Sequence, residues 1–149
     1  MIKEMCVTSF VFGKHYQKYL PLFVLSMREA YPQYDIFLFI DKTLDPIVLE
    51  QIRPYHDHIN IIENYLPDID FSKSIAHGAA VRWLLWDERF LEYEGIYIAD
   101  IDIFYCRERQ SIFEQHEMHC TTLNLPVSNV AREPKNIQRF NVLALARNL

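Results

Sequence analysis

The chain has 149 residues, half of them apolar or aromatic and 23% charged, which suits a single folded domain or part of a larger one and excludes a disordered segment. Only three glycines are present, Gly13, Gly78 and Gly95, too few for a G-x-G-x-x-G dinucleotide fingerprint or a Gly-rich phosphate loop. Fifteen Lys and Arg against twenty Asp and Glu leave a net charge of −5 without a basic run, so nucleic acid is not expected as a partner.

Met5 to Phe12 is β-branched and aromatic and reads as a buried strand, with a loop at Gly13-Lys14. Leu20 to Ala30 reads as a helix with Pro21 in its first turn and Tyr31-Pro32 as its stop. Asp35 to Asp41 is a second strand. Asp45 caps a helix that opens on Pro46 and ends near Pro54, and Ile59 to Glu63 is a third strand. From Ser72 a long helix is predicted through Trp86, followed by a break at Glu94-Gly95. Ile96 to Ala99 is a fourth strand and Ile103 to Cys106 a further extended piece. Ser111 begins a short helix, Met118 to Leu123 reads as another strand, and Asn136 to Leu149 as helical. This alternation predicts an α/β fold with a mostly parallel sheet flanked by helices.

No apolar run reaches the length of a membrane span, so no transmembrane segment is expected, and Met1-Ile2-Lys3-Glu4 does not open a signal peptide. Cys6, Cys106 and Cys120 are odd in number and widely spaced, which reads as buried thiols in a reducing, cytoplasmic setting. Peripheral membrane attachment would have to come from a region outside these residues.

Chemistry concentrates in Gly95 to Cys106 (GIYIADIDIFYC), where an apolar strand runs into Asp100-Ile101-Asp102. Ligand crevices of open parallel sheets lie at the carboxyl ends of the strands. In extended backbone, residues two apart face the same way, so the two carboxylates can converge. Such hard oxygen ligands suit Mn2+ or Mg2+, which fill their remaining positions with phosphate and water. A second Asp-x-Asp, Asp68-Ile69-Asp70, follows Pro67 without a preceding strand and reads as a solvated loop. His56-Asp57-His58 and the pair His116 and His119 lack the further ligands of a structural zinc site and read as exposed histidines.

Ala79, Ala80, Arg82, Trp83 and Leu84, followed by Tyr97-Ile98-Ala99-Asp100-Ile101-Asp102, match in order and approximate spacing the donor half of nucleotide-sugar glycosyltransferases of the GT-A fold. The chain resembles glycosyltransferase family eight and its relatives over roughly residues 4 to 125. The N-terminal part agrees as well: a strand carrying Thr8 and Ser9, then Tyr16, then a helix containing Ser26. The resemblance implies a GT-A, Rossmann-like fold shortened at the C-terminus, with residues 1–125 as donor-binding core and 126–149 as the start of an incomplete acceptor side, within one domain. Asp100 and Asp102 would hold the divalent metal and its diphosphate. Thr8 and Ser9 would line the base pocket, Tyr16 would stack on or border it, and Arg82 and His77 would reach the sugar or phosphates. The implied partners are a nucleotide-diphosphate sugar, a UDP-sugar by resemblance, and a saccharide or glycolipid acceptor.

The family's third metal ligand, a His well after the Asp-x-Asp, has no counterpart in Arg139 to Leu149, and no residue is assigned as general base. Two readings therefore stand beside each other: a metal-dependent glycosyltransferase, and a truncated, non-catalytic domain that binds nucleotide-sugar and metal. A phosphohydrolase using the two Asp is a third and weaker one, because Phe104 occupies the position where that chemistry wants Thr or Val.

Overall fold

The computed structural model describes residues 2–71, 75–128 and 142–145, with backbone alone for 75–77 and 142–145. The elements in chain order are β1 (Lys3–Val11), α1 (Gly13–Gln17), α2 (Leu20–Ala30), β2 (Asp35–Ile40), α3 (Pro46–Ile52), β3 (Ile59–Ile62), α4 (Ile75–Val81), β4 (Tyr93–Ile98), α5 (Ile112–Leu123), β5 (Val127–Ser128) and β6 (Val142–Leu145). Short 3-10 turns occupy Arg53–His58, Arg82–Leu84 and Glu88–Glu92.

The sheet order is β3-β2-β1-β4-β6-β5. Strands β1 to β4 are mutually parallel, and β6 runs antiparallel to both β4 and β5. The expected α/β architecture with a largely parallel sheet is therefore present. Strands β5 and β6 belong to this same sheet, so the described residues beyond 125 that form strands add to the layer built by β1 to β4.

Both faces of the sheet are covered, which explains why β1 and β2 are apolar almost without alternation. One face carries Val7, Val11, Leu38, Ile40 and Tyr97 against residues of α2, α3 and α5 such as Phe23, Met27, Val48 and Phe113. On the other, Cys6, Phe10, Phe37 and Phe39 pack with Phe71, Val81 and Phe90. Aromatic edges do much of the second layer's work: Phe37 meets Phe90 at 5.1 Å and Phe10 meets Phe71 at 5.0 Å between ring centroids.

Several local expectations change. The Gly13-Lys14 loop is the start of α1, entered by Gly13 at φ 72°, a conformation that glycine adopts without strain. The long helix to Trp86 is instead a short α4 and a 3-10 turn, because Leu85 turns extended at ψ 126° and leaves Trp83 and Leu84 exposed. Its proposed cap, Ser72, lies outside the described residues. The helical run does end ahead of Glu94-Gly95, at Glu92, and both residues lie inside β4, where Gly95 sits opposite Met5.

Met118 to Leu123 is not a strand but the last part of α5. A capping box between Ser111 and Glu114 starts that helix, and Asn124 at φ 52° closes it, so two good terminators override the β-branched Thr121-Thr122 pair. Within the expected C-terminal helix, residues 142–145 form β6, and the remainder of 136–149 lies outside the described residues. Ile103 to Cys106 carries no regular strand. Cys6 and Cys120 are buried as expected, but Cys106 is exposed. Among the described residues no helix is long and apolar enough to cross a membrane.

Candidate functional site

Strand order reverses direction between β1 and β4: β2 and β3 lie to one side of β1, while β4 lies to the other. Such a switch point opens a crevice between the loops leaving the two strands. A cleft of about 230 Å³ occupies it, lined by Phe10 and Phe12 at the end of β1, Tyr16 of α1, Gly78, Ala79 and Arg82 around α4, and Ala99 to Asp102 after β4.

Two anchors fix where the carboxylates emerge. Ala99 donates its N–H to Thr8 O at 2.8 Å and accepts at its carbonyl from the Ser9 hydroxyl at 2.8 Å, so the residue before Asp100 is held on both sides by β1. Past the turn at Ile101-Asp102, Tyr105 N donates to the Ser26 hydroxyl at 3.1 Å, and that hydroxyl donates to Phe23 O within α2. Asp100 and Asp102 therefore lie on a short stretch tied to β1 before it and to α2 after it, with Ile101 buried between them. Asp100 is partly exposed and Asp102 exposed.

Arg82 reaches Asp100. Its Nη1 donates to Asp100 Oδ1 at 2.5 Å, while its Nε donates to Ala79 O at 2.9 Å. The two side chains are 27% and 39% exposed, so the pair is partly withdrawn from water at the cleft wall. Helix α4 comes this close because position 78 is glycine: a Cβ there would stand 2.4 Å from Phe12 Cε1.

The structure thus brings Tyr16, Arg82, Asp100 and Asp102 to one cleft. Thr8 and Ser9 are buried within the sheet and do not line it. Ser9 spends its hydroxyl on Ala99, and Thr8 Oγ1 has no hydrogen-bond partner. Tyr16 packs beside Phe12 at 5.2 Å between rings, within an aromatic wall. The His77 backbone lies in α4, and its side chain lies outside the described residues.

Three lining or neighbouring residues were not anticipated. Phe12 and Gly78 form the close contact just described, and a glycine within a helical run signals such an approach. Asp41, directly after β2, accepts from Gly13 N through Oδ2 at 3.2 Å, while its Oδ1 is buried without a partner. A buried carboxylate oxygen in that state is an acceptor suited to a ligand N–H or O–H at this edge of the sheet.

His116 departs from its expected exposure. It is buried against Tyr97, and its Nδ1 and that of His119 lie 2.9 and 2.8 Å from the Ser128 hydroxyl, joining α5 to β5. Asp68 and Asp70 are exposed, as a solvated loop requires. Among the described residues no group of three or more His, Cys, Asp or Glu side chains converges on one metal position. No protein-family model matches the chain, and no curated protein sequence matches it.

Proposed function

We propose that the protein binds a nucleotide-diphosphate sugar with a divalent cation and is a metal-dependent glycosyltransferase of the GT-A type that passes the sugar to a saccharide or lipid-linked acceptor. One observation carries this reading: Asp100 and Asp102 leave the end of β4 at the switch point of a parallel sheet and line a cleft together with Arg82. The reversed strand β6 beside β4 supports the GT-A form of the fold over a purely parallel sheet.

The donor set suits Mn2+ or Mg2+. Two hard carboxylates share one turn, and Asp100 already carries a positive stand-in, the Arg82 guanidinium. When bound, such an ion neutralises a diphosphate and stabilises it as a leaving group. Asp100 and Asp102 would hold the ion, and Arg82 would meet phosphate oxygens or the sugar. Tyr16 and Phe12 offer flat apolar surface to a base. Asp41 Oδ1 offers a buried acceptor at the end of β2. Thr8 and Ser9 act through position: Ser9 secures Ala99 and with it the backbone that presents Asp100.

Calorimetric titration with uridine diphosphate, with and without Mn2+, tests the reading. Binding is expected to need Mn2+ and to weaken at least about tenfold in Asp102→Asn, the loss of one charged ligand being worth roughly that much or more. Metal-independent binding, or binding that Asp102→Asn leaves untouched, defeats it. A donor-hydrolysis assay on the same samples divides a transferase from a binding module, since the latter holds the donor without turning it over.

A further inference from the structure

We infer that the surface made by α1 and the first turns of α2 and α3 docks onto an anionic lipid membrane beside the cleft. On the donor reading above, such a surface selects the lipid-linked acceptor over the free saccharide. The overall charge of −5 argues the other way, but that charge is unevenly spread. Of the described lysines, Lys3 pairs with Asp35 at the amino end of the sheet, whereas Lys14, Lys18 and Lys42 are exposed and pair with no described residue. All three follow the carboxyl ends of β1 and β2.

Local hydrogen bonds gather them. Gly13 N donates to Asp41 Oδ2 at 3.2 Å, which sets Lys14 and Lys42 on adjoining connections. Gln17 is buried and ties the end of α1 to the entry of α3, its Nε2 donating to Thr43 O at 3.0 Å and its Oε1 accepting from Asp45 N at 2.7 Å. Lys18 and Tyr19 are thereby brought alongside the first turn of α3. The carboxylates in between accept from backbone amides, Asp41 from Gly13 N and Asp45 from Ile47 N, so neither is committed to a lysine.

Apolar groups stand exposed on the same elements. Tyr19, Leu22 and Leu25 recur at three-residue intervals along the outer side of α2, and Ile47, in the first turn of α3, is 70% exposed. His15 meets Tyr16 and Tyr19 edge-on at 5.7 and 5.9 Å between rings, and Tyr16 lines the cleft, so this surface is continuous with the site. Side chains on the outside of helices form a ridge, which suits an occupant that moulds to it better than a peptide that must be held in a groove. Lysines beside exposed leucine and isoleucine combine the two attractions that hold a protein on anionic lipid, with tyrosine resting at the headgroup level.

The test is flotation of the whole chain with phosphatidylcholine vesicles, with and without phosphatidylglycerol, in the absence of nucleotide and Mn2+. Binding is expected only with phosphatidylglycerol, and high salt should release it by screening the surface charge. Each lysine near an anionic surface is worth about fivefold in affinity, so Lys14→Gln/Lys18→Gln should weaken binding about twentyfold. Arg107→Gln/Arg109→Gln removes the same charge from exposed positions around Glu108, whose N–H reaches Tyr31 at the far end of α2, and should leave binding unchanged. Leu22→Ser and Ile47→Ser should each weaken binding while keeping its salt dependence. All these variants alter exposed side chains, and circular dichroism checks their fold. A wild type that ignores phosphatidylglycerol overturns the inference, as does equal weakening by the two double variants, which would make net charge the cause. Unchanged binding in Leu22→Ser and Ile47→Ser, with a polyglutamate peptide competing against the vesicles, assigns the surface to an acidic peptide and overturns it too. Vesicle binding without Mn2+-dependent binding of uridine diphosphate removes the donor reading and leaves the membrane surface. The reverse pair of results removes the membrane surface and leaves the donor reading.

Discussion

At the amino end of the sheet Asp35 receives Lys3 at 2.7 Å, the Tyr93 hydroxyl at 2.6 Å and His58 at 3.2 Å, and its side chain is 14% exposed. At the carboxyl end Asp100 meets Arg82 beside an open cleft and is 39% exposed. Both carboxylates sit at ends of the same parallel layer and both face a cation. The difference lies in how the partners are held. Lys3, Asp35 and Tyr93 stand on three neighbouring strands, so the sheet itself assembles their cluster. Arg82 and Asp100 come from a 3-10 turn and a post-strand turn, joined across a cleft that has room for something else. Partners fixed on a rigid layer suit a stabilising role, whereas loops set on a rigid scaffold are where binding residues concentrate.

The protonation behaviour of Asp35 agrees. Burial opposes its ionisation, but hydrogen bonds from Lys3, Tyr93 and His58 outweigh that and hold its carboxyl below the ordinary carboxylate range. The same arrangement pushes the Tyr93 phenol far up, through burial first and Asp35 second.

The contrast breaks most readily at Asp35. Asp35→Ala is expected to lower stability by about 2–3 kcal/mol in urea denaturation, below the value for a fully buried pair because Lys3 is half exposed. Since the folded-state pKa of Asp35 is depressed, its contribution is present above the unfolded value of about 3.9 and disappears as pH falls through the folded one. Wild-type stability measured against pH should therefore fall more steeply below about pH 4 than that of Asp35→Asn. Equal slopes would show that the cluster is not the source.

Gly78→Ala comes next in size. The added Cβ must displace the Phe12 ring, and overpacking of this kind costs about 1–2 kcal/mol. Thermal unfolding of Gly78→Ala alone and combined with Phe12→Ala gives a double-mutant cycle, in which the second change should relieve part of the first. Strict additivity would mean that the contact does not set the position of α4. The smallest effect is expected at Asp100. Asp100→Asn should change stability by about 0.5 kcal/mol, the usual scale for a half-exposed pair. A loss as large as that of Asp35→Ala would erase the distinction between the two ends.

What the sequence made legible follows from which signals are local. An apolar strand running straight into Asp100-Ile101-Asp102 announces carboxylates at a strand end, and they are there. Asp45 as a cap is also local, its side chain accepting from Ile47 N at 2.9 Å. The Arg82 to Asp100 pairing was not legible, because it depends on where α4 stops and how it crosses the sheet, and the stop at Leu85 carries no Gly or Pro. Thr8 and Ser9 were recognisable as strand-end hydroxyls, but local sequence does not say that neighbouring β4 would consume Ser9 internally. His116 precedes the strand expected at Met118 to Leu123, and the local pattern does not show that α5 runs on from Ile112 to Leu123 and packs this histidine against Tyr97. Asp41 looks like any strand-terminal aspartate in the sequence, which does not show that α1 begins against it, with Gly13 N on Oδ2 and Oδ1 buried without a partner.

The doubled hold on Ala99 has a mechanical consequence. Its amide and carbonyl are both tied to β1, so Asp100 is mounted on the last residue that the sheet keeps in register, while Asp102 rides on the turn beyond it. The two carboxylates therefore differ in how their backbones are held, the first following a residue fixed by two hydrogen bonds and the second lying on the turn beyond it. Removing the Ser9 hydroxyl would loosen the hold on Ala99, and amide hydrogen exchange at Ala99, whose N–H is bonded to Thr8 O, would rise without any change in charge.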